Sequence, residues 1–446
     1  MVAPFLATKL YIPPVRPEMV SRPRLIERLN AGLHHRLILI SAPAGFGKTT
    51  LLSEWVHDLE TRFFPENLVS GPPRPVAWIS LDEGDNDPIR FWAYVVAALQ
   101  MIPGLNEAGV GEATLAALRS PQPPPITSLL TALINEIALI PDHFAIVLDD
   151  YHLITARPIH DGLTFLLDHL PPQMHLVITT RSDPFLPLSR LRARGQMIDI
   201  RADDLRFSPQ ETTTFLNQVM GLALSGDQVV TLETRTEGWI AGLQLAALSV
   251  QSQEDTAGFI SAFTGDDRYI ADYLVDEVLA QRPQGTKDFL LQTSILDRLT
   301  GPLCDAITGF PPRVGEGQGE GSGQAILERL EQANLFIVPL DNRRRWYRYH
   351  HLFADLLRQR LEESTTPQDI KSLHQRASQW YEENDFLIEA VEHRLAAGDH
   401  DDVMRLIEQH AEEMFQRSQL NTLIGWWAQL PQELVTSRPK LCMIYA

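Results

Sequence analysis

Between the apolar run Leu37-Ile38-Leu39-Ile40 and the helix-like Leu51-Leu52-Ser53-Glu54-Trp55-Val56 lies the stretch Ala42-Pro43-Ala44-Gly45-Phe46-Gly47-Lys48-Thr49-Thr50. A strand, a glycine-bearing turn and a helix in direct succession leave few folds open. The chain must turn from the end of a buried strand into the first turn of a helix, and the two glycines allow backbone conformations closed to other residues. Amide N–H groups of such a turn converge on one point, where the helix N-terminus adds partial positive charge. Lys48 supplies a full charge at that point and Thr49 a hydroxyl. The pattern therefore reads as a cradle for a polyphosphate built from Ala44, Gly45, Phe46, Gly47, Lys48, Thr49 and Thr50, with Lys48 on the β- and γ-phosphates and Thr49 on Mg²⁺. Ala42 stands at the first position of the pattern where glycine is usual, and is small enough for the turn.

The 446 residues allow roughly three domains, each with its own core. Two cysteines, Cys304 and Cys442, are too few and too distant for a disulfide framework or a thiolate metal site, which points to a reducing cytoplasm. Residues 1–7 carry neither a basic leader nor a long apolar core. No apolar run approaches the roughly 18 residues of a membrane span, so no membrane partner is expected. A formal charge of −19 argues against a broad nucleic-acid surface, which needs concentrated Lys and Arg. The local exception is Arg343-Arg344-Arg345-Trp346-Tyr347-Arg348-Tyr349, read as an exposed turn followed by a half-buried strand, with direct nucleic-acid contact as the alternative.

From residue 36 to 204 apolar strands alternate with helical stretches, the signature of an α/β domain with a parallel sheet covered on both faces. The expected strands are Leu37 to Ser41, Val76 to Leu81, Ala145 to Asp149, Leu176 to Thr180 and Met197 to Ile200; helices are expected over Pro88 to Met101 and Ile126 to Ile140. Proline-bearing connectors are expected at 65–75 and 121–125. Residues 1–35 form a lead-in and 205–285 a helical module, opened by the capping pattern Ser208-Pro209-Gln210-Glu211. Residues 286–362 read as a winged helix: helices, the strand-like Leu335 to Leu340, a turn at Asp341-Asn342, and a second strand at Trp346 to Tyr349. Its glycine-rich stretch Gly315 to Gly323 reads as a flexible insertion. From 367 to 446 helix pairs punctuated by Asn384-Asp385 and Gly398-Asp399 resemble the start of a TPR-like all-α solenoid, which needs further repeats to be stable.

A second element belongs with the glycine loop. The run Phe144-Ala145-Ile146-Val147-Leu148 ends in Asp149-Asp150, and in an open α/β sheet ligands sit at the carboxyl ends of the strands. Asp149 is placed to hold Mg²⁺, directly or through water, and Asp150 to orient or deprotonate an attacking water. Thr180 and Arg181 end the next strand, and Arg181 either reads a γ-phosphate or pairs with Asp183 or Asp150. Gly238 to Ala247 reads either as a helix start turned toward the nucleotide or as a close-packed core helix. His350 is either a donor to the β-phosphate or a structural histidine. No Gly-x-Ser-x-Gly elbow is present and neither cysteine has a histidine near it in sequence, so a Ser or Cys hydrolase is rejected.

Together these residues resemble the STAND class of P-loop ATPases, and within it the MalT-like, LuxR-type ATP-dependent transcriptional regulators. The resemblance runs through Thr8 to Pro14 with Arg16, Val20 and Arg22, then Ser41 to Thr50, Leu148 to Ile154, Thr179 to Asp183, Leu188 to Gln196, Asp203 to Phe207, Glu237 to Ala247 and Tyr349 to Phe353. It implies ADP-bound and ATP-bound forms, the latter self-associating once a small-molecule or protein inducer binds the helical repeats, with slow hydrolysis resetting the switch. It implies that Val20, Ser21 and Arg22 frame the adenine, that Arg181 senses the γ-phosphate, and that His350 holds the winged helix onto bound ADP. DNA contact is implied only through a C-terminal helix-turn-helix absent from this chain. Many STAND proteins carry a proline in the block where this chain has Ile240 and Ala241. The readings from other classes are a metabolic ATPase or kinase, and a direct DNA binder through the winged helix.

Overall fold

The apolar runs become strands because both faces of each are covered, which lets Val, Ile and Leu follow one another without alternation. The computed structural model describes residues 6–15, 18–62, 75–251, 253, 255–265, 267–280, 282–309, 322–341, 343–416, 425–426 and 429–431. Arg16, the connector 65–74, the glycine-rich residues 315–321, Asn342 and the end 432–446 with Cys442 lie outside them. The chain packs as two units: one takes residues 1–263 and 332–335, the other 264–331 and 336–446. The division falls inside the stretch 205–285, which reads as one helical module from the sequence.

In the first unit α1 (Pro23–Gly32) precedes β1 (Leu37–Ser41), and α2 (Lys48–Arg62) follows it; then come β2 (Val76–Ser80), α3 (Pro88–Leu99), β3 (Phe144–Asp149), β4 (Met174–Thr180) and β5 (Met197–Arg201). All strand pairs are parallel, in the order β2-β3-β4-β1-β5. β1, β3 and β4 are buried along their whole length. Because β4 lies between β3 and β1, the carboxyl ends of all three open side by side. Close packing dictates small residues on the covering helices: a Cβ on Gly162, in the helix Arg157–Asp168, would meet the ring of Trp92 in α3 at 2.8 Å. The lead-in is riveted by Lys9, whose ammonium pairs with the fully buried Asp85 and, at 3.0 Å, with Asp82. The expected capping box is present: the Glu211 amide donates to Ser208 Oγ at 3.2 Å, and the Ser208 amide to Glu211 Oε2 at 2.7 Å. This starts the helix Pro209–Thr214, followed by Gly226–Thr236 and Ile240–Gln251.

The second unit places the helices Gln284–Thr293 and Gly301–Thr308 beside an antiparallel pair, β6 (Ile337–Pro339) and β7 (Tyr347–Tyr349), with Leu299 bridging to Tyr347. The hairpin is shorter than the run Leu335 to Leu340 implied, because Phe336 sits at φ 51°, a left-handed backbone that cannot continue a strand. The flexible insertion also ends earlier than expected. Ser322 and Gly323 open the helix Gly323–Gln332, and a Cβ on Gly323 would lie 2.7 Å from the Gly301 carbonyl, so glycine is needed there for backbone contact. Helices His351–Ser364, Pro367–Glu383, Leu387–Ala396 and His400–Gln416 complete the unit. Asp385 and Gly398 make the left-handed turns between the last three. Ala390, Val391, Val403, Leu406 and Ile407 are fully buried, whereas Leu395 is only half-buried. No helix among the described residues is long and apolar enough to cross a membrane.

Candidate functional site

The glycine loop starts where β1 ends and closes into α2 at Lys48. Gly45 and Gly47 adopt φ of 76° and 72°, which turns the backbone as the sequence requires. The Lys48 ammonium is buried and donates to the carbonyls of Ala42 and Pro43, both at 2.9 Å. Burial pushes its pKa down to about 8; Asp150 and Asp149 pull it upward, and Arg181 adds to the downward push. A buried ammonium whose hydrogen-bond partners are neutral carbonyls attracts an anion that can take their place.

The loop is clamped from the other side. The Trp239 indole N–H donates to the Ala44 carbonyl at 3.1 Å, and the Ala241 amide to the Gly45 carbonyl at 3.0 Å. Trp239 is completely buried, and Gly238 at φ 68° lies so close to Phe207 that a Cβ would sit 2.6 Å from its carbonyl oxygen. The helix Ile240–Gln251 is thus anchored to the loop with no proline at 240 or 241. The reading that turned its first N–H groups to the nucleotide needs correction at Ala241, whose amide is bonded to the loop backbone.

At the end of β3, Asp149 is buried against two hydroxyls: Thr49 Oγ1 donates to its carboxylate at 3.0 and 3.2 Å, and Thr179 Oγ1 at 2.5 Å. Burial raises the Asp149 pKa, as does Asp150, and the two hydroxyl bonds oppose the rise. Asp150 is left-handed at φ 57° and half-exposed; its amide donates to Thr179 Oγ1 at 2.9 Å, and its carboxylate lies 3.7 Å from His152 Nδ1. Asp183 pairs with Arg201 and, at 3.9 Å, with Arg192. Asn334 Nδ2 donates to Ser41 Oγ at 3.0 Å and to the Arg181 carbonyl at 2.9 Å, which ties the end of β1 to the Arg181 backbone. The sequence carries no local mark for Asn334; the structure shows it at a left-handed φ of 48°, a conformation that favours Asn.

Beside Gly47, Thr50 and Leu51 a small cavity opens, walled by Val20, Arg22 and Phe215. Arg22 is buried, and its guanidinium donates to the carbonyls of Leu205 (2.8 Å) and Arg206 (3.0 Å) while lying over the Phe207 ring. Burial pushes its pKa down to about 10, with Glu211 opposing. Arg22 therefore fixes the wall through backbone carbonyls. His350 belongs to the second unit, where it is buried, donates its amide to the Phe336 carbonyl at 2.8 Å and stands edge-on to the Phe336 ring. A larger apolar groove of about 790 Å³ lies at the amino ends of β2 and β3, beside Val76 and Phe144, and so at the wrong end of the sheet for this chemistry.

These residues fit a Mg²⁺-nucleotide. The loop amides and Lys48 would take phosphate oxygens, and the Thr49 hydroxyl with Asp149 would offer two oxygen ligands, leaving the remaining positions to phosphate and water as Mg²⁺ prefers. No group of three or more His, Cys, Asp or Glu arranged for a metal occurs among the described residues.

Fold and site define a P-loop ATPase architecture followed by a winged helix. The Walker-type ATPase PABY2304 of Pyrococcus abyssi superposes with a TM-score of 0.52 at 16% identity, covering 78% of this chain and 99% of that one. Residues 275–369 match the family model of the MalT winged helix domain. The chain is 34% identical to the HTH-type transcriptional regulator MalT of Klebsiella pneumoniae over 97% of its length and 45% of that protein's. It is equally identical to the serine/threonine-protein kinase PknK of Mycobacterium tuberculosis over 96% of its length and 36% of that protein's. This chain therefore belongs to the MalT-like family and carries a P-loop fold, and it spans less than half the length of these curated relatives.

Proposed function

We propose that the chain is the adenine-nucleotide switch of a MalT-like, STAND-class regulator working in the cytoplasm. The observation that carries this reading is the buried Lys48 ammonium, with neutral carbonyls as its hydrogen-bond partners, beside the Thr49–Asp149 pair at the carboxyl end of β3. In this reading Lys48 and the amides of residues 44–50 hold the phosphates. Thr49 and Asp149 hold Mg²⁺, which when bound neutralises phosphate charge. Asp150 orients or deprotonates the attacking water, Arg181 reads the γ-phosphate, and Val20 with Arg22 frames the base. Hydrolysis is slow and serves to reset the switch.

For ATP to move such a switch from 1:99 to 99:1 it must favour the active form by about 5.5 kcal/mol, so the γ-phosphate contacts of Arg181 and Lys48 must differ strongly between forms. The helix Ile240–Gln251 gives a route for that difference, since it is hydrogen-bonded directly to the loop backbone. The ATP form self-associates when an inducer occupies the helical repeats.

The test is nucleotide extraction from purified protein, followed by thermal melting with Mg·ATP and Mg·ADP. Retained ADP, or a rise in melting temperature with either nucleotide, is expected, together with turnover below about 1 s⁻¹, the lower end of the range for kinases. Neither retained nucleotide nor any thermal shift would end the switch reading.

A further inference from the structure

The basic-aromatic stretch 343–349 is not absorbed by the nucleotide chemistry. Tyr347 and Tyr349 are buried in the winged helix, while Trp346 and Arg348 turn the other way and line a cavity of about 730 Å³. Its opposite wall is the helical pair Pro367–Glu383 and Leu387–Ala396 with the turn between them, which contributes Tyr381, Phe386, Glu389, Glu392 and His393. Trp346 stands edge-on to Phe386 at 5.6 Å between ring centroids, and Tyr381 stacks on His393 at 5.4 Å. The lining is an aromatic surface between two structural elements of one unit, of a size that encloses small ligands.

Its polar groups are unusually idle. Among the described residues Glu389 and Glu392 make no ion pair or hydrogen bond, although they stand one turn apart on one helix face. Glu392 is exposed at the edge of the cavity, where partial desolvation raises its pKa and the neighbouring Glu389 and Asp297 carboxylates raise it further. The Tyr381 hydroxyl also has no hydrogen-bond partner among the described residues, although only 3% of that residue is exposed. Four carboxylates (Asp297, Asp341, Glu389, Glu392) face two guanidiniums (Arg298, Arg348), so the lining carries a net charge of −2. His393 does not offset this, because burial and the adjacent His374 push its pKa down to about 3 and keep it neutral. Asp341 is occupied by the amides of Arg343, Arg345 and Trp346, and Asp297 pairs with Arg358 at 2.9 Å, which leaves the two glutamates as the free acceptors.

We propose that this cavity binds a small organic cation, an alkylammonium or guanidinium compound, recognised by the carboxylates of Glu389 and Glu392, the Tyr381 hydroxyl and the rings of Trp346 and Phe386. Aromatic faces attract desolvated cations, and paired carboxylates complete the charge match. A phosphate backbone is disfavoured by the same acidic lining. The site goes beyond the nucleotide reading and stands or falls without it.

Calorimetric titration of the 446-residue chain with agmatine and with spermidine, in the absence of nucleotide and with sodium glutamate as the anionic control, tests the proposal. Saturable binding of at least one amine and none of glutamate is expected. The pair Glu389→Gln and Glu392→Gln should weaken it by about tenfold or more, and Trp346→Leu by about threefold. Both glutamine changes keep side-chain shape and remove like-charge repulsion, so the melting temperature should hold or rise; should the pair fail to fold, Glu389→Gln alone carries the same expectation of weakened binding. No saturable heat with either amine, or affinity unchanged by the glutamine changes, overturns the proposal.

Discussion

Two buried lysines in the same unit show how environment separates a rivet from a receptor. Lys9 and Lys48 are both more than nine-tenths buried. Lys9 is neutralised on the spot: its ammonium meets Asp85 and Asp82 and lies 4.7 Å from the Tyr94 ring centroid. Lys48 has neutral carbonyls as its hydrogen-bond partners, while Asp149, whose charge would compensate it, bonds to Thr49 and Thr179. The first arrangement satisfies itself and belongs to the fold. The second keeps a positive charge in a poorly solvated place at the mouth of a glycine turn, which stabilises the protein only when an anion arrives.

The largest effect is expected at Lys9. Lys9→Ala leaves Asp85 buried with Arg90 and the Asp82 amide as its remaining partners, so unfolding free energy should fall by about 3 kcal/mol, with nucleotide affinity unchanged within about twofold. Denaturant melts with and without Mg·ADP separate the two quantities. Lys48→Ala should do the reverse: the melting midpoint of the free protein holds or rises, and nucleotide affinity drops about a hundredfold, the loss expected for charge-assisted bonds to phosphate. Normal affinity in Lys48→Ala would remove the assignment of the site. Trp239→Phe sharpens the contrast from the loop's other side. It strips the donor from the Ala44 carbonyl and leaves a buried acceptor unsatisfied, so affinity measured by fluorescence titration should fall about tenfold while Lys48 stays in place.

What could be read from residues alone follows the same division. β1 and β3 were legible because strands buried on both faces are continuous apolar runs, and the glycine loop because its chemistry lies within nine adjacent residues. Asp149 was legible as the last residue of such a run. The clamps were not: Trp239 reaches Ala44 across 195 residues and Asn334 reaches Ser41 across 293, distances over which no local pattern survives. Glycines marked turns at Gly45, Gly47 and Gly398, but the left-handed Phe336 that shortens β6 left no sign, since aromatic residues rarely adopt that conformation. The basic-aromatic stretch gave its alternation correctly; that Trp346 would face an acidic helix depended on where Leu387–Ala396 packs.

The smallest effect is also the most diagnostic of Lys48, because it depends on charge without any mutation. Burial holds the ammonium at about 8 against 10.5 for an exposed lysine. Between those values the unfolded chain keeps a proton that the native chain has released, so the free protein should gain stability as pH rises through that window. Phosphate oxygens reverse the balance by favouring the ammonium, so nucleotide binding above pH 8 must take up a proton. With the site about half protonated at pH 8 and about a tenth at pH 9, affinity should fall about fivefold over that step, after the nucleotide's own phosphates are fully ionised. Calorimetry in two buffers of different ionisation enthalpy reads the proton uptake directly, and Lys48→Ala should abolish both the uptake and the slope. A wild-type affinity flat from pH 8 to 9 would mean that the ammonium is not the group meeting the phosphates, and Lys48 would then join Lys9 as a structural cation.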